Sequence, residues 1–337
     1  MEQAITPKTA DEFAELIGRV RREIHKVIVG QDELIDLTLQ CIFSHHHALL
    51  MGVPGLAKTL LVTTIGQVIG ITSRRIQFTP DLMPSDITGT DIIQEDPQTG
   101  RKGFVFVPGP VFANMVLADE INRTPPRTQA ALLEAMQERQ VSVGNKKYPL
   151  ELPFFVLATQ NPIEQEGTYN LPEAQLDRFM YLITVDYPET ADEIEVLKRT
   201  TTNYRSQPEQ VMDGAAILRY QQVIREVIVR DDLYDYALRL VQATRVSKDC
   251  ALPYAREWVA WGAGPRACQF LLLGAKARAF FRGRTHITTA DIQAVAGPVL
   301  RHRVIVNHAA ISEGITSDAV VAQVLKAVPM PKESAGV

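Results

Sequence analysis

The most specific segment of this sequence is the octapeptide Gly52-Val53-Pro54-Gly55-Leu56-Ala57-Lys58-Thr59. It follows an apolar run and precedes a helical pattern that starts at Leu60, which is the strand–loop–helix context of a phosphate-binding loop. Successive backbone N–H groups and a helix N-terminus can surround anionic phosphates there. Lys58 can neutralise the β- and γ-phosphates, and the Thr59 hydroxyl can bind Mg²⁺. The octapeptide, together with Leu60, therefore supplies candidate residues for binding a nucleotide.

One position departs from the usual GxxxxGK[ST] pattern, because Ala57 stands where a glycine normally precedes the lysine. Taken by itself, the octapeptide could also be a glycine-containing turn between a strand and a helix, with the lysine there by chance. The neighbouring sequence has to decide between a nucleotide site and such a turn.

Short apolar runs in the first half of the chain indicate buried parallel strands, since strands covered on both faces are continuously apolar. The runs are Ala48–Met51, Met115–Ala118, Phe154–Ala158 and Tyr181–Val185. Apolar residues at helical spacing lie between them, at Leu60–Ile69 and Gln129–Met136. This alternation of strands and helices predicts a doubly wound α/β sheet.

The pattern changes after Val185. A polar segment from Arg199 to Pro208 is typical of a linker or a loosely ordered turn. Beyond it the spacing predicts helices at Gly214–Val227, Asp232–Arg245, Arg266–Phe281 and Thr289–Val299. We therefore expect an α/β domain over residues 1–205, an all-α domain over residues 206–330 and a disordered tail over residues 331–337.

Two acidic residues, Asp119 and Glu120, end the apolar run Met115–Ala118. Acidic side chains at the end of a buried strand are unfavourable unless they serve an ion or a water molecule. Next to a phosphate-binding loop, Asp119 would lie near the metal, and Glu120 could act as a base that polarises an attacking water. Taken alone, the pair could equally be an ordinary acidic exit from a strand.

A polar segment, Thr159-Gln160-Asn161-Pro162, follows the third apolar run. The amide of Asn161 could hydrogen-bond the attacking water or the γ-phosphate. In isolation, however, an Asn-Pro pair is typical of a turn.

Together these motifs resemble the MoxR family of AAA+ ATPases, and the resemblance extends over nearly the whole chain. Val29-Gly30-Gln31 is similar to the family segment that packs on adenine, and alanine at position 57 is normal in the family. Other matching segments are Arg75 to Asp86 (RIQFTPDLMPSD), Glu120 to Arg123 (EINR) and Ala131 to Met136 (ALLEAM). The resemblance implies a P-loop AAA+ sheet with Walker A and Walker B motifs, hairpin insertions and a following all-α lid.

The resemblance also implies roles for three further residues. Asn161 would be sensor 1. Arg178, in Leu176-Asp177-Arg178-Phe179, would be an arginine finger that reaches a nucleotide held by the neighbouring subunit. Arg266, in Gly264-Pro265-Arg266-Ala267, would be sensor 2, carried by the lid onto the γ-phosphate of its own subunit. From the residues alone, Arg178 could instead form a surface ion pair, and Arg266 could simply begin a helix.

Two hairpin insertions are expected, at Ile92–Val107, where the hairpin would interrupt a helix, and at Gln140–Leu150. Their turns would be residues 96–100 and Gly144-Asn145, with basic residues near the tips at Arg101, Lys102, Lys146 and Lys147. In related ring ATPases such hairpins face the central pore and contact the substrate. Solvated turn charges explain the basic residues equally well.

Composition limits the class of partner. The 337-residue chain has 35 basic and 39 acidic residues, so its net charge of −4 gives no global reason to bind nucleic acid. Its 3 cysteines form no CxxC pair and indicate neither a disulfide framework nor a zinc site. No apolar run approaches the roughly 18 residues that cross a bilayer, and Met1-Glu2-Gln3 does not begin a signal-peptide pattern. We expect a cytoplasmic protein.

The resemblance implies a Mg²⁺-dependent ATPase that works as a hexameric ring, with ATP and Mg²⁺ as cofactors. Its role would be chaperone-like remodelling or activation of protein complexes, often with a von Willebrand factor A-domain protein. Two other interpretations are open: a nucleic-acid motor similar to MCM helicases, and a motor subunit of a metal chelatase. The net charge and the lack of an OB-fold or helix-turn-helix addition disfavour the first of these.

Overall fold

The structure is a computed structural model that describes residues 5–53, 55–95, 102–161, 167–246 and 252–331. Pro54, Arg101, Pro162, the expected turn at residues 96–100 and the expected tail from residue 332 lie outside the described residues. The chain divides into two compact units. The α/β unit comprises Arg19–Arg178 and Ile183–Leu218, and the helical unit comprises Met1–Gly18, Phe179–Leu182 and Arg219–Val337.

A five-stranded sheet in the order β2-β5-β8-β1-β9 forms the centre of the fold. Its strands are β1 (Ala48–Gly52), β2 (Ser73–Gln77), β5 (Met115–Asp119), β8 (Phe155–Gln160) and β9 (Tyr181–Val185). The neighbouring pairs β2/β5, β5/β8 and β1/β8 are parallel. Each apolar run predicted as a strand is a strand of this sheet, so the predicted fold class is confirmed. The edge strand β2 has one buried residue, Ile76, and no apolar run announces it.

The helices of the first 200 residues include two that the sequence analysis predicted and several that it missed. They are α1 (Pro7–His25), α2 (Asp32–Phe43), α3 (Lys58–Val68), α4 (Pro84–Thr88), α5 (Pro126–Glu138), α6 (Glu173–Leu176) and α7 (Thr190–Thr200), with a 3₁₀ turn at Ile121–Arg123. Helix α3 packs on β2 and β5, and α2 packs on β8. Within the described part of the chain, the helices are too short or too polar to cross a membrane.

Both predicted hairpins are present. The first pairs β3 (Gly89–Glu95) with β4 (Lys102–Pro108), and the second pairs β6 (Gln140–Val143) with β7 (Lys146–Pro149). The prediction that the first hairpin interrupts a helix was wrong, because α4 precedes it and residues 109–114 form turns that lead into β5. The start of β3 and the end of β4 lie close together, since a Cβ on Gly89 would overlap the backbone oxygen of Val107.

The predicted linker at Arg199–Pro208 was wrong at its first residues. Arg199 and Thr200 are the last turn of α7, and helix and strand are absent only over residues 201–213. Lys198 and Arg199 at the C-terminus of α7 oppose the negative end of the helix dipole. The following segment is held in place, since Gln67 Nε2 donates to Pro208 O at 3.0 Å. The segment around Pro208 is therefore attached to α3 by this hydrogen bond.

The second half of the chain contains the predicted helices as α8 (Gly214–Arg225), α9 (Asp231–Gln242), α11 (Pro265–Phe280) and α12 (Thr289–Leu300). It also contains α10 (Pro253–Trp258), α13 (His308–Ser312), α14 (Ser317–Ala327) and an antiparallel pair of β10 (Val259–Trp261) with β11 (Ile305–Val306). This strand pair was not expected from the sequence, because it joins segments far apart in the chain.

Residues at the start of the chain are part of the helical unit. The fully buried ring of Phe13 lies 4.7 Å from the Phe280 ring and 4.5 Å from the Tyr220 ring, centroid to centroid. Such aromatic pairs stabilise a core beyond the area they bury. The compact unit thus differs from the predicted 206–330 domain, whose boundary stays a prediction.

One buried carboxylate organises the start of α12. Asp291 is fully buried and accepts hydrogen bonds from Arg278 Nη1 at 2.7 Å and from Arg284 Nη1 and Nη2 at 2.7 Å. It also accepts from Thr288 N at 2.9 Å as part of a capping box. Burial acts to raise the pKa of Asp291, but the hydrogen bonds from Arg284, Thr288 and Arg278 outweigh it and lower the pKa to about 2.

We predict that Asp291→Asn destabilises the protein by about 3 kcal/mol at pH 7, because two guanidinium groups lose their counter-charge. The carboxyl has a pKa of about 2 in the folded protein and about 3.9 when unfolded. Its stabilisation is therefore present above pH 5 and is lost as the pH falls from about 4 to about 2. Urea unfolding at several pH values should show that the difference in the free energy of unfolding between the wild type and Asp291→Asn becomes smaller as the pH falls over that range.

Asp235→Asn is the matched control, because Asp235 forms an exposed ion pair with Arg239 in the same unit (Oδ2–Nε, 2.8 Å). Exposed pairs contribute little, so this variant should stay within about 0.5 kcal/mol of the wild type. Equal losses for the two variants would contradict the assignment of a special role to Asp291.

Candidate functional site

The predicted phosphate-binding segment joins β1 to α3. Ala57 adopts a left-handed conformation with φ 52° and ψ 29°, and Lys58 is the first residue of α3. Lys58 Nζ donates a hydrogen bond to Gly52 O at 3.0 Å, so the side chain folds back over the loop. A Cβ on Gly55, which has φ 89°, would meet no atom of the described residues within 4 Å, its chain neighbours aside. The loop is therefore open in front of a helix N-terminus, which is the arrangement that binds anions.

Lys58 connects this loop to the acidic pair. Burial lowers the pKa of Lys58, while the negative charges of Asp119 and Glu120 oppose that shift. The lysine and the two acids come from motifs about 60 residues apart, and the fold brings them within electrostatic reach of one another. Thr59 directly follows Lys58 as the second residue of α3 and is exposed.

The parallel register positions the acids. Gln77 at the end of β2 lies opposite Asp119 at the end of β5, and Ala118 lies opposite Ala158. Thr159 consequently follows on β8 directly beside the acidic pair. Its Oγ1 accepts a hydrogen bond from Glu120 N at 2.8 Å and donates one to Asp119 Oδ1 at 2.7 Å. Thr159 thus sets both the backbone turn at Glu120 and the orientation of the Asp119 carboxylate.

The two carboxylates have different partners. Asp119 Oδ2 accepts from Arg75 Nε at 3.1 Å and from Arg75 Nη2 at 2.7 Å. Glu120 Oε2 accepts from Gln77 Nε2 at 2.8 Å and from Arg123 Nη1 at 2.9 Å. Glu120 Oε1 accepts no hydrogen bond from any residue in the described part of the chain. One oxygen of Glu120 is therefore fixed, and the other can accept a proton.

A mostly apolar cavity of about 530 Å³ lies beside the loop. It is lined by residues of the predicted nucleotide-binding segments, namely Val29, Gly55, Leu56, Ala57 and Leu60. Residues that the sequence analysis missed form another wall: Tyr187, Pro188, Glu193, Val196 and Leu197. Gly30 adopts φ 61°, and a Cβ there would overlap the Asp192 carboxylate at the start of α7. The positive φ and this close approach both favour a glycine at position 30.

The cavity fits a nucleotide. Its volume is within the range of small-molecule sites, roughly 300–1,000 Å³. The Oε1 atom of Gln31, which lines the cavity, is buried without a hydrogen-bond partner among the described residues, so it can accept a hydrogen bond from a base with an amino group. Thr59 and Asp119 offer the oxygen ligands that Mg²⁺ prefers. ATP and Mg²⁺ are thus compatible with the residues present.

Asn161 and Arg178 lie in different parts of the α/β unit. Asn161 is buried and directly follows Gln160, which lies opposite Met51 in the sheet, so it is level with the start of the loop. Arg178 is half-buried beyond α6, and its Nη1 donates to Leu133 O of α5 at 3.0 Å. Arg178 borders a cavity of about 260 Å³, which is also lined by Gln175 of α6 and by residues of α5 such as Glu134.

Arg266 is the second residue of α11 in the helical unit, after Gly264 at the N-cap. The roles of Arg266 as sensor 2, Arg178 as arginine finger and Asn161 as sensor 1 stay predictions. The residues that hydrogen-bond the two acids are Arg75, Gln77, Arg123 and Thr159, and all four stood in quoted motifs without an assigned role. Their signal was position: Gln77 ends β2, Thr159 is the last residue but one of β8, and Arg75 and Arg123 lie within four residues of a strand end.

Comparison with known proteins agrees with this arrangement. The model of the ATPase family associated with various cellular activities (AAA) matches residues 47–181, and that of an AAA lid domain matches residues 254–324. A crystal structure of a protein from Cytophaga hutchinsonii, provisionally described as an ATPase, superposes with a TM-score of 0.89 and 42% identity, over 96% of this chain and 98% of that one.

Similar sequences extend over the full chain. Chaperone MoxR1 of Mycobacterium tuberculosis is 44% identical over 98% of this chain and 87% of its own length. Protein YeaC of Bacillus subtilis is 38% identical over 97% and 98%, and protein MoxR of Methylorubrum extorquens is 30% identical over 87% and 88%. An identity of this size over both the α/β and the helical part leads to one conclusion: the chain belongs to the MoxR family of AAA+ ATPases.

Proposed function

We propose that this protein hydrolyses ATP in a Mg²⁺-dependent reaction as a hexameric ring and uses the energy to remodel or activate partner protein complexes. Two observations carry the proposal: Lys58 lies within electrostatic reach of Asp119 and Glu120, and residues of the phosphate-binding loop line a cavity with the volume of a small-molecule site. The chaperone name of the relative from Mycobacterium tuberculosis supports the remodelling role. The family resemblance favours a von Willebrand factor A-domain protein as a partner.

The residues of the loop bind the substrate. Backbone N–H groups at the start of α3 and the ammonium group of Lys58 hold the phosphates. Val29, Gln31 and the residues of α7 that line the cavity enclose the base, and Gly30 permits the close approach of α7 to this segment. Mg²⁺, held by Thr59 and Asp119, would neutralise charge on the β- and γ-phosphate oxygens. Thr159 keeps the Asp119 carboxylate in one orientation through Oδ1.

Glu120 is the base in this proposal. Gln77 and Arg123 hold its Oε2 atom, so a proton from the attacking water is accepted on Oε1. Asn161 orients that water or the γ-phosphate from the next strand end. Arg178 of an adjacent copy of the chain stabilises the charge on the transferred group, and Arg266 contacts the γ-phosphate from the lid.

Lys58→Ala should weaken ATP binding about 10- to 100-fold, because charge-assisted hydrogen bonds contribute about 1.5–3 kcal/mol each. The fold should survive, since Lys58 is only half-buried. Binding of a fluorescent ATP analogue measures the affinity, and Lys326→Ala, an exposed lysine of α14, is the control. Wild-type affinity in Lys58→Ala would remove Lys58 from its role.

Glu120→Gln should bind ATP normally and hydrolyse it about 10²- to 10⁴-fold more slowly, because an amide cannot accept the proton. Asp119→Asn should instead weaken the Mg²⁺ dependence and the binding together. Phosphate release and analogue binding, measured over a range of Mg²⁺ concentrations, separate the two variants. Turnover at the wild-type rate by Glu120→Gln would mean that another residue polarises the water.

Arg178→Ala should bind ATP normally but lose about 10³- to 10⁵-fold in hydrolysis rate, the usual effect of an arginine finger. The sharper test mixes Arg178→Ala with Lys58→Ala. The Lys58→Ala subunit retains its finger, and the Arg178→Ala subunit retains its pocket, so adjacent pairs should recover turnover. Full concentration-dependent activity of Arg178→Ala alone would show that the finger assignment is wrong.

A further inference from the structure

At the candidate arginine finger, the chain passes from the α/β unit into the helical unit, and it does so at the peptide bond between Arg178 and Phe179. Arg178 is the last residue of its segment in the α/β unit, whereas Phe179–Leu182 belongs to the helical unit. The Arg178 side chain donates to Leu133 O, but the backbone that follows it is held by other residues. Any group that fixes Phe179 therefore also restricts where the backbone of Arg178 can lie.

Two buried residues after α12 hold this segment. Arg303 Nη2 donates to Phe179 O at 2.6 Å, and Arg303 Nη1 donates to Met180 O at 3.3 Å. His302 Nε2 lies 3.1 Å from Phe179 O. Both side chains are buried, and hydrogen bonds from a charged group to a buried carbonyl are strong there. The buried guanidinium of Arg303 thus donates hydrogen bonds to the backbone carbonyls of the two residues that follow Arg178.

The same cluster is packed on the helix that starts at the candidate sensor. The guanidinium of Arg303 lies 4.9 Å from the ring centroid of Phe270. A Cβ on Gly274 would overlap the Tyr181 hydroxyl, so α11 approaches the segment closely there. Phe270 and Gly274 follow Arg266 by four and eight residues on α11, which places the three residues on one face of the helix.

We infer that Arg303, with His302, is a positioning residue that ties the backbone of the arginine finger to the helix carrying Arg266. The inference rests on the proposed function, in which Arg178 acts on the neighbouring subunit and Arg266 on its own. When α11 moves in response to the nucleotide bound by its own subunit, Arg178 of the same subunit then shifts relative to the nucleotide site of the next subunit. The coupling runs through directly packed groups, Phe270, Arg303 and the carbonyls of Phe179 and Met180.

Arg303→Lys tests this role, because lysine retains the charge but cannot bond two carbonyls with a planar fork. We expect binding of a fluorescent ATP analogue within about twofold of the wild type and a rate of hydrolysis lower by on the order of 10²-fold, the effect of misplacing a catalytic group. Arg239→Lys is the matched control. Arg239 also donates to a main-chain carbonyl, Pro329 O at 3.1 Å, and its variant should hydrolyse ATP at the wild-type rate.

Subunit mixing separates positioning of the finger from damage to the subunit's own site. If Arg303 acts through the finger, Arg303→Lys has an intact pocket, so mixing it with Lys58→Ala restores turnover. Mixing it with Arg178→Ala does not, because neither subunit then offers a working finger. Recovery in the second mixture but not in the first would overturn the inference, as would wild-type activity of Arg303→Lys alone.

The reference mixture of Arg178→Ala with Lys58→Ala distinguishes the two levels of failure. If it does not recover turnover, the sharing of sites between subunits is wrong, and the role of Arg303 falls with it. If the reference mixture recovers turnover, but Arg303→Lys recovers only with Arg178→Ala, then Arg303→Lys has damaged its own pocket. In that case only the inference about Arg303 is wrong. Should Arg303→Lys fail to fold, as thermal unfolding would reveal, His302→Gln in the same mixtures gives the decisive result.

Discussion

The parallel pairing of β2, β5, β8 and β1 is the constraint on which the rest of the site depends. Parallel strands have a fixed hydrogen-bond register, and a slip of one residue would turn every side chain to the other face. This register sets Gln77 opposite Asp119 and brings Thr159 beside it. The strand ends thereby bring Asp119 and Glu120, the proposed metal ligand and proposed base, together with their hydrogen-bond partners to the edge of the sheet where the loop of residues 52–59 begins.

Each acid at this edge is paired with one arginine, but the hydrogen-bond donors are arranged differently around the two carboxylates. Arg75 and Thr159 occupy opposite oxygens of Asp119, whereas Gln77 and Arg123 share one oxygen of Glu120. Asp119 is therefore oriented from both sides, and Glu120 is anchored at one oxygen only. Two adjacent acids thus have different surroundings because their neighbours offer them different donors, and this difference is the basis for proposing one as a cation ligand and the other as a base.

The helical unit uses buried charge in two ways. Asp291 lies among two guanidinium groups and a helix N-terminus and fixes the start of α12. Arg303 instead grips backbone carbonyls of a segment more than 120 residues away in the chain. The first arrangement stabilises one helix, while the second ties the segment after Arg178 to α11. Buried charges need such complete partners, since an unsatisfied one is strongly unfavourable.

Local patterns in the sequence determined the phosphate-binding loop, the acidic pair, the strands with continuous apolar runs and the long helices of the second half. These features are set by residues close together in the chain, where periodicity and loop chemistry act directly. Only the tertiary structure decided the edge strand β2, the wall of the cavity from α7, the place of Phe13 in the helical unit, and the partners Thr159 and Arg303. Each depends on contacts between distant segments; Thr159 and Glu120 are 39 residues apart. A short polar strand or a single threonine has no periodic signal of its own, and it acquires a role only when the packed sheet places it beside its partner.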